Sequence, residues 1–186
     1  MKLNIKILIL LALCFSFSAI KAQNDQTRKS IQDIGDVLHS SIPIAVGLTT
    51  IIIKDKKGSW QFVKSFGLNI ALTFALKHAI DKSRPHGTDG LAFPSGHTSV
   101  AFQSASFVQK RYGWSYGIPA YALASFVGYS RIEGIDNRHD GWDVLGGIIV
   151  GVGSTYLFTT PYQEEYIELA FSSNNDNYLI GFRIKF

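Results

Sequence analysis

Cysteine is almost missing from this chain of 186 residues. The only one, Cys14, lies in an apolar leader, so no disulfide framework can hold the fold. With no cysteine after residue 14 and no HExxH pattern, the usual donors of a zinc site do not converge in any motif, and no metal is expected. Charge is also scarce, since Asp, Glu, Lys and Arg make up 17% of residues where about 25% is usual for a soluble domain. Its sign is uneven only at the start: residues 1–22 hold Lys2, Lys6 and Lys21 and no acid. Without those three lysines the formal charge falls from +4 to +1. The basic balance therefore belongs to the leader, and a nucleic-acid surface is not expected. The sequence has no internal repeat, no low-complexity segment and, before its tail, no apolar run that alternates like a strand.

What it has instead is apolar length, with 46% hydrophobic residues. Lys2 and Lys6 precede an apolar run from Ile7 to Phe17, and small residues follow before Gln23. Residues 1–22 thus have the form of a signal peptide or of an uncleaved signal anchor. A lipidated Cys14 is disfavoured by the bulk of Leu13 before it. After the polar stretch Gln23 to Ser30, apolar segments recur at Val37–Ile53, Phe62–Ile80, Thr98–Val108, Gly117–Ile132 and Val144–Phe158, each helix-compatible. The length suits one domain with a real core. The expected fold is all-α: a bundle of about five helices over residues 23–162 behind the leader, with a short C-terminal hairpin over residues 163–186. In that tail Tyr178, Ile180, Phe182, Ile184 and Phe186 would share one strand face. An aromatic last residue there resembles the closing strand of an outer-membrane barrel. One hairpin cannot close a barrel, so a hairpin packed on the bundle is expected.

Three stretches carry chemistry. In FPSGHTS, residues 93–99, Ser95 is a good N-cap, and Gly96 lets a ligand approach the backbone. Free N–H groups in the first helical turn then form an anion site in which His97 can exchange a proton, its pKa lowered by the helix dipole. In KHAIDKSRP, residues 77–85, Lys77 and Arg84 are seven apart and would project from nearly one face of a helix end. In SRIEGIDNRHDGWDV, residues 130–144, His139 and Asp143 are four apart, the distance at which a carboxylate holds an imidazole on a helix face. Asp140 competes as the orienting acid but, adjacent to His139, would face elsewhere. Singly, each is as compatible with a capped helix, a solvated face or surface decoration. His39, His78 and His86 fit structural or surface roles, and Gly147 and Gly151 form a GxxxG spacing suited to close helix packing.

Together, Lys77 and Arg84-Pro85, then Pro94-Ser95-Gly96-His97, then Ser130-Arg131, His139 and Asp143 resemble the signature of the type 2 phosphatidic acid phosphatase and vanadium haloperoxidase superfamily. The order matches, and the likeness covers about residues 37–160. One departure is the spacer IEGIDNR, seven residues between Arg131 and His139 where the family commonly has five, which leaves open whether Arg138 replaces Arg131. The resemblance implies that His139 is the nucleophile on phosphorus, oriented by Asp143, and that His97 is the general acid for the leaving oxygen. Lys77, Arg84, Arg131, Ser95 and the Gly96 N–H would bind the phosphate oxygens. Such preorganised charge is what phosphoryl transfer needs, so neither a metal nor a cofactor is expected.

The expected activity is that of a metal-independent phosphatase acting on a phosphate monoester or diphosphate through a phosphohistidine. The expected substrate is a lipid phosphate: lipid A phosphate, phosphatidylglycerophosphate, phosphatidate or undecaprenyl diphosphate. The alternatives are a non-catalytic envelope protein that binds anionic lipid and a vanadate-dependent haloperoxidase. If the helices span a bilayer, KDKKGS (54–59) and KRYGWS (110–115) fall on the cytoplasmic side and the three motifs on the other. That faces the site toward the periplasm or exterior, and the expected location is the bacterial envelope, at the inner membrane with a periplasm-facing site or in the periplasm. The segments Thr98–Tyr112 and Val144–Phe158, 15 residues each, are short for a span. Oligomeric state is not legible.

Overall fold

The structure, a computed structural model, describes residues 5–85, 87, 90–162, 167–174 and 177–184, with side chains within residues 24–162. Five helices make an all-α bundle: α1 (Ile5–Ile52), α2 (Lys56–Ile80), α3 (Gly96–Tyr112), α4 (Trp114–Glu133) and α5 (Gly141–Phe158). The polar stretch from Gln23 to Ser30, which divides two apolar segments in the sequence, is continuous helix within α1. The backbone of Ile167–Asn174 (β1) pairs antiparallel with Asn177–Ile184 (β2), from Ile167 opposite Ile184 to Asn174 opposite Asn177. The side chains of the leader and of this tail, and with them the leader's apolar run and the aromatic strand face, lie outside the described residues, as does His86.

Helix α3 is the axis of the bundle, packing most extensively on α5 and α4 and buried nearly all round from Thr98 to Phe107. The GxxxG of α5 allows that approach: a β-carbon at Gly147 would lie 2.6 Å from the Ser95 carbonyl oxygen, and one at Gly151 would overlap that of Ser99. Around α3 the apolar core gathers Ile42, Val46, Phe62, Phe102, Phe107, Ala124 and Val127. Between the helices the contacts are small and polar. Ser106 donates to Thr155 Oγ1 at 2.8 Å, Gln103 to Ser65 Oγ at 2.9 Å, and the Thr73 and Ser99 hydroxyls meet at 3.0 Å. Polar glue of this kind suits helices that pack without a hydrophobic driving force between them.

The outer surface fits the same solvent. Val37, Ile44, Leu48, Val63, Phe74, Ile118, Ile149 and Leu157 are exposed. Exposed Trp60, Trp114 and Tyr116 lie toward one end, and Tyr129 and Trp142 toward the other, the arrangement of interfacial aromatic belts. Two helices among the described residues, Asn24–Ile52 and Gly141–Phe158, are long and apolar enough to cross a membrane. The helices also exceed the apolar runs that mark them, α3 having 17 residues and α5 18, or about 27 Å for α5 at 1.5 Å per residue.

At the lysine-bearing end a buried ion pair locks three elements. Arg111, fully buried, donates from Nη2 and Nε to the two oxygens of Asp55 at 2.6 and 2.8 Å, and from Nη1 to the Thr160 carbonyl at 3.0 Å. Asp55 also caps α2 by accepting from the Gly58 N–H and takes the Tyr112 hydroxyl at 2.9 Å. Arg111 is therefore a structural cation, although the sequence places it among the charges of a cytoplasmic loop. Arg111→Ala would leave a buried carboxylate uncompensated and is expected to cost about 3–5 kcal/mol, read from denaturant unfolding of the detergent-solubilised protein.

Candidate active site

The up-and-down order of the helices brings the C-termini of α2 and α4 and the N-termini of α3 and α5 to the opposite end. The three motifs lie there. Helix α2 stops at Ile80, with Asp81 in a left-handed conformation (φ 44°) whose N–H caps the Lys77 carbonyl. Arg84 consequently sits on the following loop and not on the helical face it was expected to share with Lys77. The two still act at one place, since both depress the pKa of His139. Lys77 donates to the Leu91 carbonyl at 2.6 Å, and its Cε would lie 3.9 Å from a β-carbon at Gly96. The Nε of Arg84 is buried without a partner.

Ser95 occupies the N-cap of α3, as expected, but its hydroxyl caps nothing. It accepts from Thr98 Oγ1 at 3.0 Å, so the N–H groups that open α3 have no side-chain cap and can bind an anion. The Ser95 N–H donates to the Asp143 carbonyl at 2.9 Å and ties the start of α3 to that of α5.

His139 precedes α5 by two residues, so the His139–Asp143 pair is a loop-to-helix contact and not the expected helix-face pair. Nδ1 of His139 lies 3.4 Å from Asp143 Oδ2, beyond normal hydrogen-bond length, and both groups are buried. Asp140 is the N-cap of α5, accepting from the Trp142 and Asp143 N–H groups, while Asp143 reaches back to the Asp140 N–H. Lys82 spans both acids, donating to Asp140 Oδ2 at 2.5 Å and Asp143 Oδ1 at 2.8 Å. Burial first, then the nearby Lys77, pushes the His139 imidazole down to about 4, although Asp143 pulls the other way. It is neutral at pH 7.

A second group surrounds His97. Its Nε2 lies 3.3 Å from Asp36 Oδ1, and its ring lies 3.8 Å, centroid to centroid, from that of His39. The same Asp36 oxygen takes Arg131 Nη1 at 2.7 Å. Arg131 is buried, its Nη2 donating to the Gln32 carbonyl and the Ser130 hydroxyl. Arg138 instead points outward to Asp136 at 2.6 Å. His97 is pushed down to about 4, mainly by burial and then by His39, Arg131 and His139, with Asp36 opposing. Burial, not only its place in a first helical turn, thus lowers this imidazole.

The seven-residue spacer has a visible place. Ile132 and Glu133 continue α4, and the remainder turns through Asn137 (φ 39°). The polar stretch of α1 and the residue just beyond it staple that turn: Arg28 donates to the Glu133 and Gly134 carbonyls, and the side chain of Gln32 pairs with both the N–H and the carboxylate of Asp136. Gly35 permits the approach, because a β-carbon there would overlap the Ser130 hydroxyl.

Sequence reasoning overlooked Lys82, Asp36 and the part His39 plays. Two acids at the start of α5 without a designated cation were the available sign of Lys82, and Asp36 with His39 at i,i+3 in an apolar run was that of the α1 group. Asp36, His39 and His97 also bring ligating atoms within 4.8 Å of one another, a group able to hold a cation. Arg131 already places its charge on the Asp36 oxygen, which opposes one.

The sequence of residues 58–166 matches the PAP2 superfamily. The chain belongs to that superfamily. Among its PAP2 relatives, the lipid A 4'-phosphatase of Helicobacter pylori is 31% identical over 144 residues, 72% of this chain and 71% of that protein. The lipid A 1-phosphatase of Porphyromonas gingivalis is 38% identical over 108 residues, 53% of this chain but only 24% of that protein. In fold, the chain is similar to the crystal structure of Aquifex aeolicus LpxE, with a TM-score of 0.61 at 18% identity over 71% of this chain and 84% of that one. It is also similar to the transmembrane PAP2 type phosphatidylglycerolphosphate phosphatase of Bacillus subtilis, with a TM-score of 0.52 at 19% identity over 83% and 91%.

Proposed function

We propose that this protein is a membrane phosphatase that removes a phosphate from a lipid by way of a phosphohistidine on His139. The observation that carries this is a buried, neutral imidazole beside the Asp143 carboxylate, close to Lys77 and to an Arg84 whose Nε has no protein partner. Asp143 faces Nδ1, which leaves the Nε2 lone pair to attack phosphorus. The new N–P bond forms as the ester P–O bond breaks, and His97 gives its proton to the departing oxygen. Water then attacks the phosphohistidine, with the now neutral His97 taking its proton. Lys77, Arg84, Arg131, Ser95 and the Gly96 N–H bind the equatorial oxygens throughout. Positive charge from these side chains makes a metal unnecessary.

Lipid A phosphate is the preferred substrate, in keeping with the two relatives that bear that name. Residues 1–22 act as signal or anchor, 23–162 as the phosphatase bundle and 163–186 as a hairpin tail, with the site facing the periplasm. Orientation follows from the lysine-rich turns at the far end, which favour the cytoplasm. The test is phosphate release by purified protein from a panel of lipid A, phosphatidylglycerophosphate, phosphatidate and undecaprenyl diphosphate. Release from lipid A supports the proposal, whereas release from none of them overturns it.

Vanadate, which adopts the geometry of the phosphoryl-transfer transition state, should inhibit this release strongly, and EDTA should leave it unchanged. Activity lost to EDTA and restored by a divalent metal would contradict the assignment of the positive charge to Lys77, Arg84 and Arg131.

A further inference from the structure

We infer that Asp36, on α1 and outside all three motifs, is a positioning residue of the phosphoryl transfer, its carboxylate fixing the general acid His97 and the phosphate clamp Arg131 relative to each other. This rests on the phosphatase function proposed above.

The geometry is specific. A carboxylate serving only to neutralise a buried guanidinium would need no second partner, yet Asp36 Oδ1 lies 2.7 Å from Arg131 Nη1 and 3.3 Å from His97 Nε2. Asp36 is itself 44% exposed, so its charge is not trapped and the pair is not forced by burial. Its backbone carbonyl meets His39 Nδ1 at 2.9 Å, which sets the ring that lies against His97. Facing Nε2, the carboxylate favours the tautomer with the proton on that nitrogen and leaves Nδ1 as the atom that gains and loses the catalytic proton.

The charges around His97 give Asp36 its consequence. His39 on α1, Arg131 on α4 and His139 on the loop before α5 all disfavour the imidazolium, and Asp36 favours it. An incoming phosphate dianion adds a second negative charge close to this carboxylate. A proton on His97, between the two, relieves their repulsion, so substrate binding brings with it the proton that the leaving oxygen requires. Arg131, held by the same oxygen, stays aimed while this happens. α1 is thereby part of the reaction centre as well as of the bundle.

The experiment compares Asp36→Asn and Asp36→Glu with the wild type in detergent micelles, on phosphatidate, which has an alkyl leaving group, and on p-nitrophenyl phosphate. For Asp36→Asn, kcat on phosphatidate should fall by about 10–100-fold, the scale on which slight misplacement of a reacting group is felt. The loss on p-nitrophenyl phosphate should be at least about tenfold smaller, because that oxygen departs with little need of a proton. The basic limb of the kcat profile should move to lower pH in Asp36→Asn, since the charge favouring the imidazolium is gone. In Asp36→Glu, which keeps the charge, the limb should move less than in Asp36→Asn. Equal losses on the two substrates with an unmoved basic limb would overturn the inference. If Asp36→Asn does not fold, Asp36→Glu, which keeps the charge but displaces it by one methylene, decides alone: a loss greater on phosphatidate than on p-nitrophenyl phosphate supports the inference, and equal losses overturn it. His139→Ala, inactive in either event, keeps the proposed function distinguishable from this role of Asp36.

Discussion

Turnover should fall by roughly 10⁴- to 10⁶-fold when His139 is replaced by alanine, the scale on which loss of a covalent nucleophile is felt. The protein should still fold. His139 lies on the turn before α5, and its Nδ1 makes no hydrogen bond that the helix depends on. The cap of α5 is made by Asp140 and Asp143, and Lys82 holds both acids independently of the imidazole. Circular dichroism and unfolding of His139→Ala should therefore match the wild type while phosphate release from lipid A disappears. Substantial residual turnover in a folded variant would remove His139 from the chemistry.

The second large effect is selective. His97→Ala should slow hydrolysis of an alkyl phosphate by about 10²- to 10⁴-fold, the usual contribution of a general acid, and that of p-nitrophenyl phosphate by far less. The pH dependence follows in sign. In the empty site His97 is pushed down to about 4, so it is neutral at pH 7 and lacks the second proton that the leaving oxygen needs. A bound dianion raises it, and kcat should decline as pH rises through this raised value. His97→Ala should lose that basic limb. Equal losses on the two substrates would mean that His97 positions the phosphate and does not protonate the leaving group.

Much of this site is legible in the sequence because the residues proposed to bind phosphate come in short runs. Pro94-Ser95-Gly96-His97 spans a single helix start, and local backbone geometry alone places its N–H groups. The pairing of His139 with Asp143 is readable from spacing, although the helix begins two residues too late for the two to share a face. Chain reversal at Asp81 is harder to foresee. A non-glycine residue takes the left-handed cap there and moves Arg84 from helix to loop. The contacts of Asp36 with His97 and Arg131, and of Lys82 with the two acids of α5, join residues distant in sequence. They depend on which helices pack side by side, which no local pattern encodes. The polar stretch of α1 illustrates the same limit: as sequence it divides two apolar segments, whereas in the fold its Arg28, with Gln32 just beyond it, clamps the turn before His139.

The most direct test of the covalent route is rapid quenching in alkaline denaturant during turnover of a ³²P-labelled lipid phosphate, with the protein then recovered and mapped by peptide at alkaline pH. The expected result is a label on the peptide containing His139, labile to acid and stable to base, that appears within the first turnover and is missing in His139→Ala. Full turnover with no label on the protein at any time, or a label that persists in His139→Ala, would contradict the phosphohistidine mechanism.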